Sequence, residues 1–145
     1  HAALLKARLN VFRFVECHPG LGWKVEDIWH QQASLIVDET LGNQTDLTNG
    51  IAVIRVVNMG EWAYSTGLQG LTFGGKNLET LKALLLASAL VEIAPADFHP
   101  DTFTRSQHLL WSRSLLRAWL RPGSVKLLTI PIEVGKKTAK ARKSR

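Results

Sequence analysis

The sequence predicts an α+β fold: a small antiparallel barrel-like β-meander, then two packed helices and a basic C-terminal tail. Three observations carry this reading. Between Val11 and Phe73, β-branched and aromatic residues recur with period two in short runs broken by Gly and Asn, which is the strand pattern. From Asn77 onward the apolar spacing changes to three and four, which is the helical pattern. Residues 136–145, KKTAKARKSR, hold six basic residues and no acid, a composition that cannot build a core. The expected organisation is one domain over residues 1–135, with the meander at 11–73 and the helical part at 77–121, and a flexible tail at 136–145.

Element by element, residues 2–9 (AALLKARL) read as the end of a helix. VFRFVEC, GWKVEDIW, ASLIVDE, GIAVIRVVN and EWAYSTG follow as strands. Their short connections favour antiparallel neighbours, since parallel pairing needs a long crossover, and curling into a barrel would remove exposed edges. Asn77 is a natural cap for a helix reaching about Leu90, with Leu78, Leu81, Leu85 and Ala89 as its inward stripe. Pro100 suits the first turn of a second helix over 101–121, which Pro122-Gly123 ends. SVKLLTIPIEV follows as a last strand or extended arm, with Pro131 confining it to an edge.

The chain has 145 residues, 46% hydrophobic and 21% charged, with a formal net charge of +6. That composition is globular. Without the six basic residues of the tail, 12 basic residues face 12 acidic ones. The body is neutral and the excess belongs to the tail, so the charge describes the tail and not a basic face on the fold. A single cysteine fits a reducing cytoplasmic setting. The apolar run Ala83–Val91 is too short to cross a bilayer core and reads as a buried helix segment. A chain opening on His1 is expected to be a piece of a longer protein.

Three motifs invite chemistry. In ECHPGLGWKVEDIW the lone Cys17 stands beside His18. Neighbours on a strand point to opposite faces, so the two do not form a nucleophile–base pair. No second cysteine completes a zinc knuckle, and His18, Glu26, Asp27 and His30 match no ligand spacing. Pro19, Gly20 and Gly22 are what a tight reversal requires, and the stretch reads as a hairpin tip. The second motif, GLTFGGKN at 70–77, matches a phosphate loop at Gly70, Gly75 and Lys76. Asn77 stands where the magnesium-binding hydroxyl belongs, and the preceding strand is not in a βαβ unit. It reads as a strand–helix joint, with an incidental anion site at Gly75, Lys76 and Asn77 as the alternative. Third, Arg113, Arg117 and Arg121 recur every fourth residue, flanked by Ser106 and Ser114, on an otherwise apolar helix. A narrow solvated seam on a mostly buried helix is the expected reading, and an anion-binding stripe the alternative. The five tryptophans are core fillers first, though an exposed one favours an interface.

The tail residues Lys136, Lys137, Lys140, Arg142, Lys143 and Arg145 can neutralise phosphates without reading sequence. They are the candidate polyanion-binding residues, for nucleic acid or an acidic protein, with a linker or solubilising terminus as the alternative.

VFRFVECHPGLGWKVEDIW followed by NGIAVIRVVNMGEWAYSTG resembles the β-rich domain of uncharacterised bacterial proteins that often carry a SEC-C metal-binding motif. The positions that carry the resemblance are Val15, Glu16, Pro19, Gly20, Gly22, Trp23, Val25, Asp27 and Ile28, then Gly50, Arg55, Val56, Val57, Gly60 and Trp62, within residues 11–73. It implies a small β-rich module fused to others in bacterial cytosolic proteins. The SEC-C cysteines are absent, so zinc is not implied. No cofactor and no catalytic residue are expected. The expected function is a non-catalytic interaction module of a larger bacterial protein whose tail contacts a polyanion such as nucleic acid, with no membrane partner. The alternatives are a structural or protein–protein domain with the tail as linker, and an enzyme or nucleotide binder built on Cys17 or the Gly70–Asn77 loop.

Overall fold

The computed structural model describes residues 6–73 and 77–120. Five strands, β1 (Arg8–His18), β2 (Gly22–Asp27), β3 (Ala33–Val37), β4 (Ile51–Asn58) and β5 (Trp62–Phe73), close into a barrel in the order β1-β2-β3-β5-β4. The barrel is as expected, but it is not a simple meander. β4 pairs with β1, and β5 lies parallel to β3 through Leu35↔Trp62, Ile36↔Ala63 and Val37↔Tyr64. The segment Asp38–Gly50 makes this order reachable by carrying the chain across one end of the barrel. It contains a short helix that the sequence reading missed, α1 (Glu39–Gly42), capped by the Asp38 carboxylate, which accepts from the Leu41 N–H at 3.1 Å. The indole Nε1–H of Trp23 donates to the carbonyls of Leu41 and Gln44, each at 2.9 Å, and fastens α1 there as a plug.

β1 closes the barrel. Its first half pairs with β4 (Arg8↔Val56 to Arg13↔Ile51) and its second half with β2 (Phe12↔Asp27 to His18↔Gly22). The register shift between Phe14 and Glu16 is a bulge at Val15, the kind of extra residue that bends a strand. Arg8 and Leu9, expected to end a helix, are therefore strand. Pairing with β4 overrides a weak local helix preference.

Two cores result. Phe12, Phe14, Trp23, Val25, Ile36, Ala52, Ile54, Val56 and Ala63 fill the barrel. On the outer face of β1 and β4, Leu9, Val11, Ile51 and Val53 meet Leu81, Leu85, Phe98, Phe103, Trp111 and Leu115. Buried on both sides, β1 and β4 read as continuous apolar runs where they meet the helices. Trp111 is fully buried within a set of edge-on rings (Trp29, Phe98, Phe103), and its Nε1–H donates to the Leu9 carbonyl at 3.2 Å. Truncating it to Ala would cost about 3–5 kcal/mol.

The helices are α2 (Leu78–Ser88) and α3 (Arg105–Trp119), which pack on each other. Asn77 caps α2 as expected, its side chain accepting from the Glu79 N–H at 3.0 Å. Leu81 and Leu85 are buried, while Ala83 and Leu90 of the apolar run are exposed. α3 begins later than expected. Pro100 opens a separate 3₁₀ turn (Pro100–Thr102), and Thr104 starts the helix through a reciprocal capping box with Gln107. No helix among the described residues is long and apolar enough to cross a membrane.

Candidate functional site

Pro19–Leu21 turns the chain between β1 and β2, closed by the Leu21 N–H donating to the His18 carbonyl at 3.0 Å. Gly20 takes φ +76°, the left-handed conformation the motif implied. Cys17 is half-buried against the barrel core, its Sγ 3.7 Å from the Gly42 carbonyl and 3.9 Å from that of Gln44. Among the described residues, no three His, Cys, Asp or Glu side chains gather as a metal-holding group.

Of the anion loop, Asn77 is a helix cap, and Gly75 and Lys76 lie outside the described residues. Arg113 and Arg117 are exposed on α3, while Arg121 and the tail residues Lys136–Arg145 lie outside the described residues. The expectation of a mostly buried α3 needs correcting. Leu109 (57% exposed), Leu116 (47%) and Leu120 (63%) face outward with the arginines, because the buried positions of α3 form one stripe: His108, Trp111, Ser114, Leu115 and Ala118. Ser114, expected to flank the seam, is buried; its hydroxyl donates to the Leu110 carbonyl and accepts from the Leu90 N–H, each at 2.8 Å.

Two features emerge that sequence reasoning did not assemble. The first is an aromatic face. α2 and α3 occupy the outer surface of β1 and β4, and among the described residues no helix covers the outer surface of β2, β3 and β5. The strand registers put Lys24, Leu35, Val37, Trp62 and Tyr64 on that surface. Trp62 is 41% exposed, and its ring centroid lies 6.4 Å from that of Tyr64. The signal was present in EWAYSTG: Ala63 is the small residue that fits the barrel interior, so its aromatic neighbours must point out. The face is nearly neutral. Lys24 is exposed, Glu26 is held by Arg13 at 2.6 Å, and Glu16 and Glu61 flank it. What it offers a partner is ring surface.

The second feature is the barrel mouth, at the end opposite α1. One end of every strand contributes to a cavity of about 120 Å³ there. Phe12, Val56 and Ala63 form its apolar base, and Lys6, Arg8, Asn10, His30, Ser34, Asn58, His99 and Asp101 its polar wall. Asp27 also reaches the mouth, but its carboxylate is occupied by the N–H groups of Trp29 (3.0 Å), His30 (2.7 Å) and Gln32 (2.8 Å), which shape the β2–β3 turn. His30 and His99 stack with centroids 3.8 Å apart. The His30 Nε2 donates to the Phe98 carbonyl at 2.9 Å, since a carbonyl can only accept.

Near the N-terminus of α3, His108 is buried, and neither ring nitrogen has a hydrogen-bond partner among the described residues. Burial first, then the Arg8 and Arg55 charges, hold its pKa below the ordinary 6.5. Comparison with protein-family models, with curated proteins and with solved structures finds no match to this chain.

Proposed function

We propose that this chain is a non-catalytic interaction module of a larger bacterial protein, of the SEC-C-associated kind, and that it binds single-stranded nucleic acid. Bases stack on Trp62 and Tyr64, and the basic tail (Lys136, Lys137, Lys140, Arg142, Lys143 and Arg145) neutralises phosphates. The observation that carries the reading is the pairing of the exposed Trp62 with the half-buried Tyr64 on a barrel surface that α2 and α3 do not cover.

The connectivity supports it. A closed order β1-β2-β3-β5-β4 with β3 and β5 parallel and a helix between β3 and β4 is that of the OB barrel, whose β2–β3 face receives oligonucleotides and oligosaccharides. Fold alone does not assign function, so the aromatic pair decides. Exposed rings on an OB surface stack unpaired bases of any sequence, at about 1–3 kcal/mol per base. A nearly neutral face gives little affinity through charge, which the tail supplies.

The test is fluorescence anisotropy with labelled single-stranded and duplex oligonucleotides across a salt series. Single strands should bind more tightly than duplexes, whose bases are not free to stack. The log–log salt slope should be no steeper than about −0.7 per neutralised phosphate on the single strand. Equal affinity for the two forms, governed by salt alone, would leave only the tail as a polyanion contact. Self-association through Leu109, Leu116 and Leu120 with no strand binding would favour the protein–protein alternative.

A further inference from the structure

We infer that the barrel mouth takes one pyrimidine nucleotide of the bound strand, its ring in the cavity and its phosphate toward Lys6. This rests on the single-strand reading above and adds a base preference to a face that stacks any base.

Size comes first. An apolar cavity of about 150 Å³ accommodates a benzene ring. The mouth, at about 120 Å³, is smaller than that and open on one side, so it admits no more than one six-membered ring, part of which stays in the opening. A purine would leave its second ring outside the base formed by Phe12, Val56 and Ala63.

The hydrogen-bonding character of the wall comes second, and it is set by bonds already made. The Asn10 Oδ1 accepts from the Val11 N–H at 2.8 Å and from the Trp29 Nε1–H at 3.1 Å. Those donors fix which end of the amide is oxygen, so Asn10, only 6% exposed, turns its NH₂ group to the cavity it lines. No acceptor among the described residues meets that NH₂. Asn58 is fixed in the same way, its Oδ1 accepting from the Gly60 N–H at 2.9 Å. Ser34 adds a hydroxyl with no partner among the described residues. The wall is therefore rich in donors, and its natural complement is a ring edge rich in acceptors: O2 with N3 of cytosine, or O2 and O4 of thymine and uracil.

Charge and position come third. Lys6 and Arg8 stand at the rim. Two acids share the rim, Asp27 and Asp101; the Asp27 carboxylate is held in the β2–β3 turn by its three backbone bonds, and Lys6 is the exposed cation toward which a phosphate can lie. The stacked His30–His99 pair gives the rim a flat π surface. Ala63 of the cavity base directly follows Trp62, so a base in the mouth and a base on Trp62 belong to neighbouring stretches of one strand.

The experiment measures affinities of the 145-residue chain for short labelled oligo-dT, oligo-dC and oligo-dA at fixed salt, and for free uridine monophosphate. Oligo-dA is stiffened by its own base stacking, so a stacking face alone already gives a modest preference for flexible pyrimidine runs. The mouth should raise that preference to about tenfold for both pyrimidine strands. Ser34→Phe, which fills the mouth from the edge of β3, should cut the preference back to the modest stacking level and leave the Trp62-dependent affinity. Lys6→Gln, at an exposed site that cannot unfold the barrel, should weaken pyrimidine strands about threefold more than oligo-dA. Free uridine monophosphate, lacking stacked neighbours, should bind far more weakly than oligo-dT. Strand binding without a pyrimidine preference, or a preference untouched by both variants, overturns the mouth assignment while the stacking face stands. Free nucleotide binding as tight as oligo-dT overturns its assignment to a strand. No strand binding in the wild type overturns both readings.

Discussion

Gly22→Ala tests whether the Pro-Gly-x-Gly turn is built for close packing, as the structure implies, or only for backbone freedom. A Cβ added at Gly22 would lie 1.9 Å from the Ile36 carbonyl oxygen, 2.9 Å from its carbon and 3.1 Å from the Asp38 nitrogen. All three are backbone atoms, so no side chain can swing aside. To regain ordinary contact, β2 and β3 must part by more than about 1 Å at the Gly22↔Val37 pair. Overpacking of this kind costs about 1–3 kcal/mol. Separation also strains the bond from the Asp38 N–H to the Leu21 carbonyl (2.9 Å), worth about 1 kcal/mol. The sum is about 3 kcal/mol out of a typical total of about 5–15. Gly20 is the control. It has φ +76° and nothing within 4 Å of its added Cβ, so Gly20→Ala meets only the left-handed penalty of about 1 kcal/mol. Urea denaturation monitored by tryptophan fluorescence should show a much larger fall in midpoint for Gly22→Ala, with similar slopes. Equal losses, or a larger loss at Gly20, would refute the contact argument.

Three further outcomes follow from single sites. His108 takes up a proton less readily in the fold than in the unfolded chain, so the unfolded state binds more protons and stability rises with pH. Its contribution is complete above pH 6.5 and is lost as pH falls through 6.5 toward the lowered folded value; His108→Leu should flatten that part of a stability–pH curve, and an unchanged curve would contradict the assignment. Asp27→Ala removes the acceptor for three turn N–H groups and should cost about 2 kcal/mol by urea denaturation, whereas a loss under about 0.5 would show the turn to be held by other bonds. Arg113→Gln combined with Arg117→Gln should change stability by less than about 0.5 kcal/mol and leave strand affinity nearly unaltered, and a large loss of affinity would move the binding surface onto α3.

Local chemistry was legible in the sequence, and long-range pairing was not. Pro19, Gly20 and Gly22 announced the hairpin because a turn is specified by the residues that make it. Asn77 announced α2 because a cap is a contact within one turn. The β1–β4 and parallel β3–β5 pairings join segments far apart in the chain, and period-two patterning says only which residues share a face. The start of α3 was misplaced because Pro100 and Thr104 are both good openings, and the capping box with Gln107 prevailed. The leucines of α3 looked buried because composition records how apolar a helix is and not how much of it has a neighbour. The candidate site divides the same way. The parity of Trp62 and Tyr64 was readable, but that neither α2 nor α3 covers them was not. The mouth draws on one end of all five strands, so no spacing along the chain could reveal it.

The proposed function requires that strand affinity come from rings on the open barrel face, not from tail charge alone. It is tested most directly by the affinity of the full chain for a single-stranded oligonucleotide at elevated salt, where phosphate contacts fade and stacking persists. Trp62→Ala, at a residue 41% exposed, should leave the denaturation midpoint nearly unchanged. It should weaken binding by about 1–3 kcal/mol, roughly fivefold to a hundredfold. An unchanged affinity in a folded Trp62→Ala protein would contradict the account.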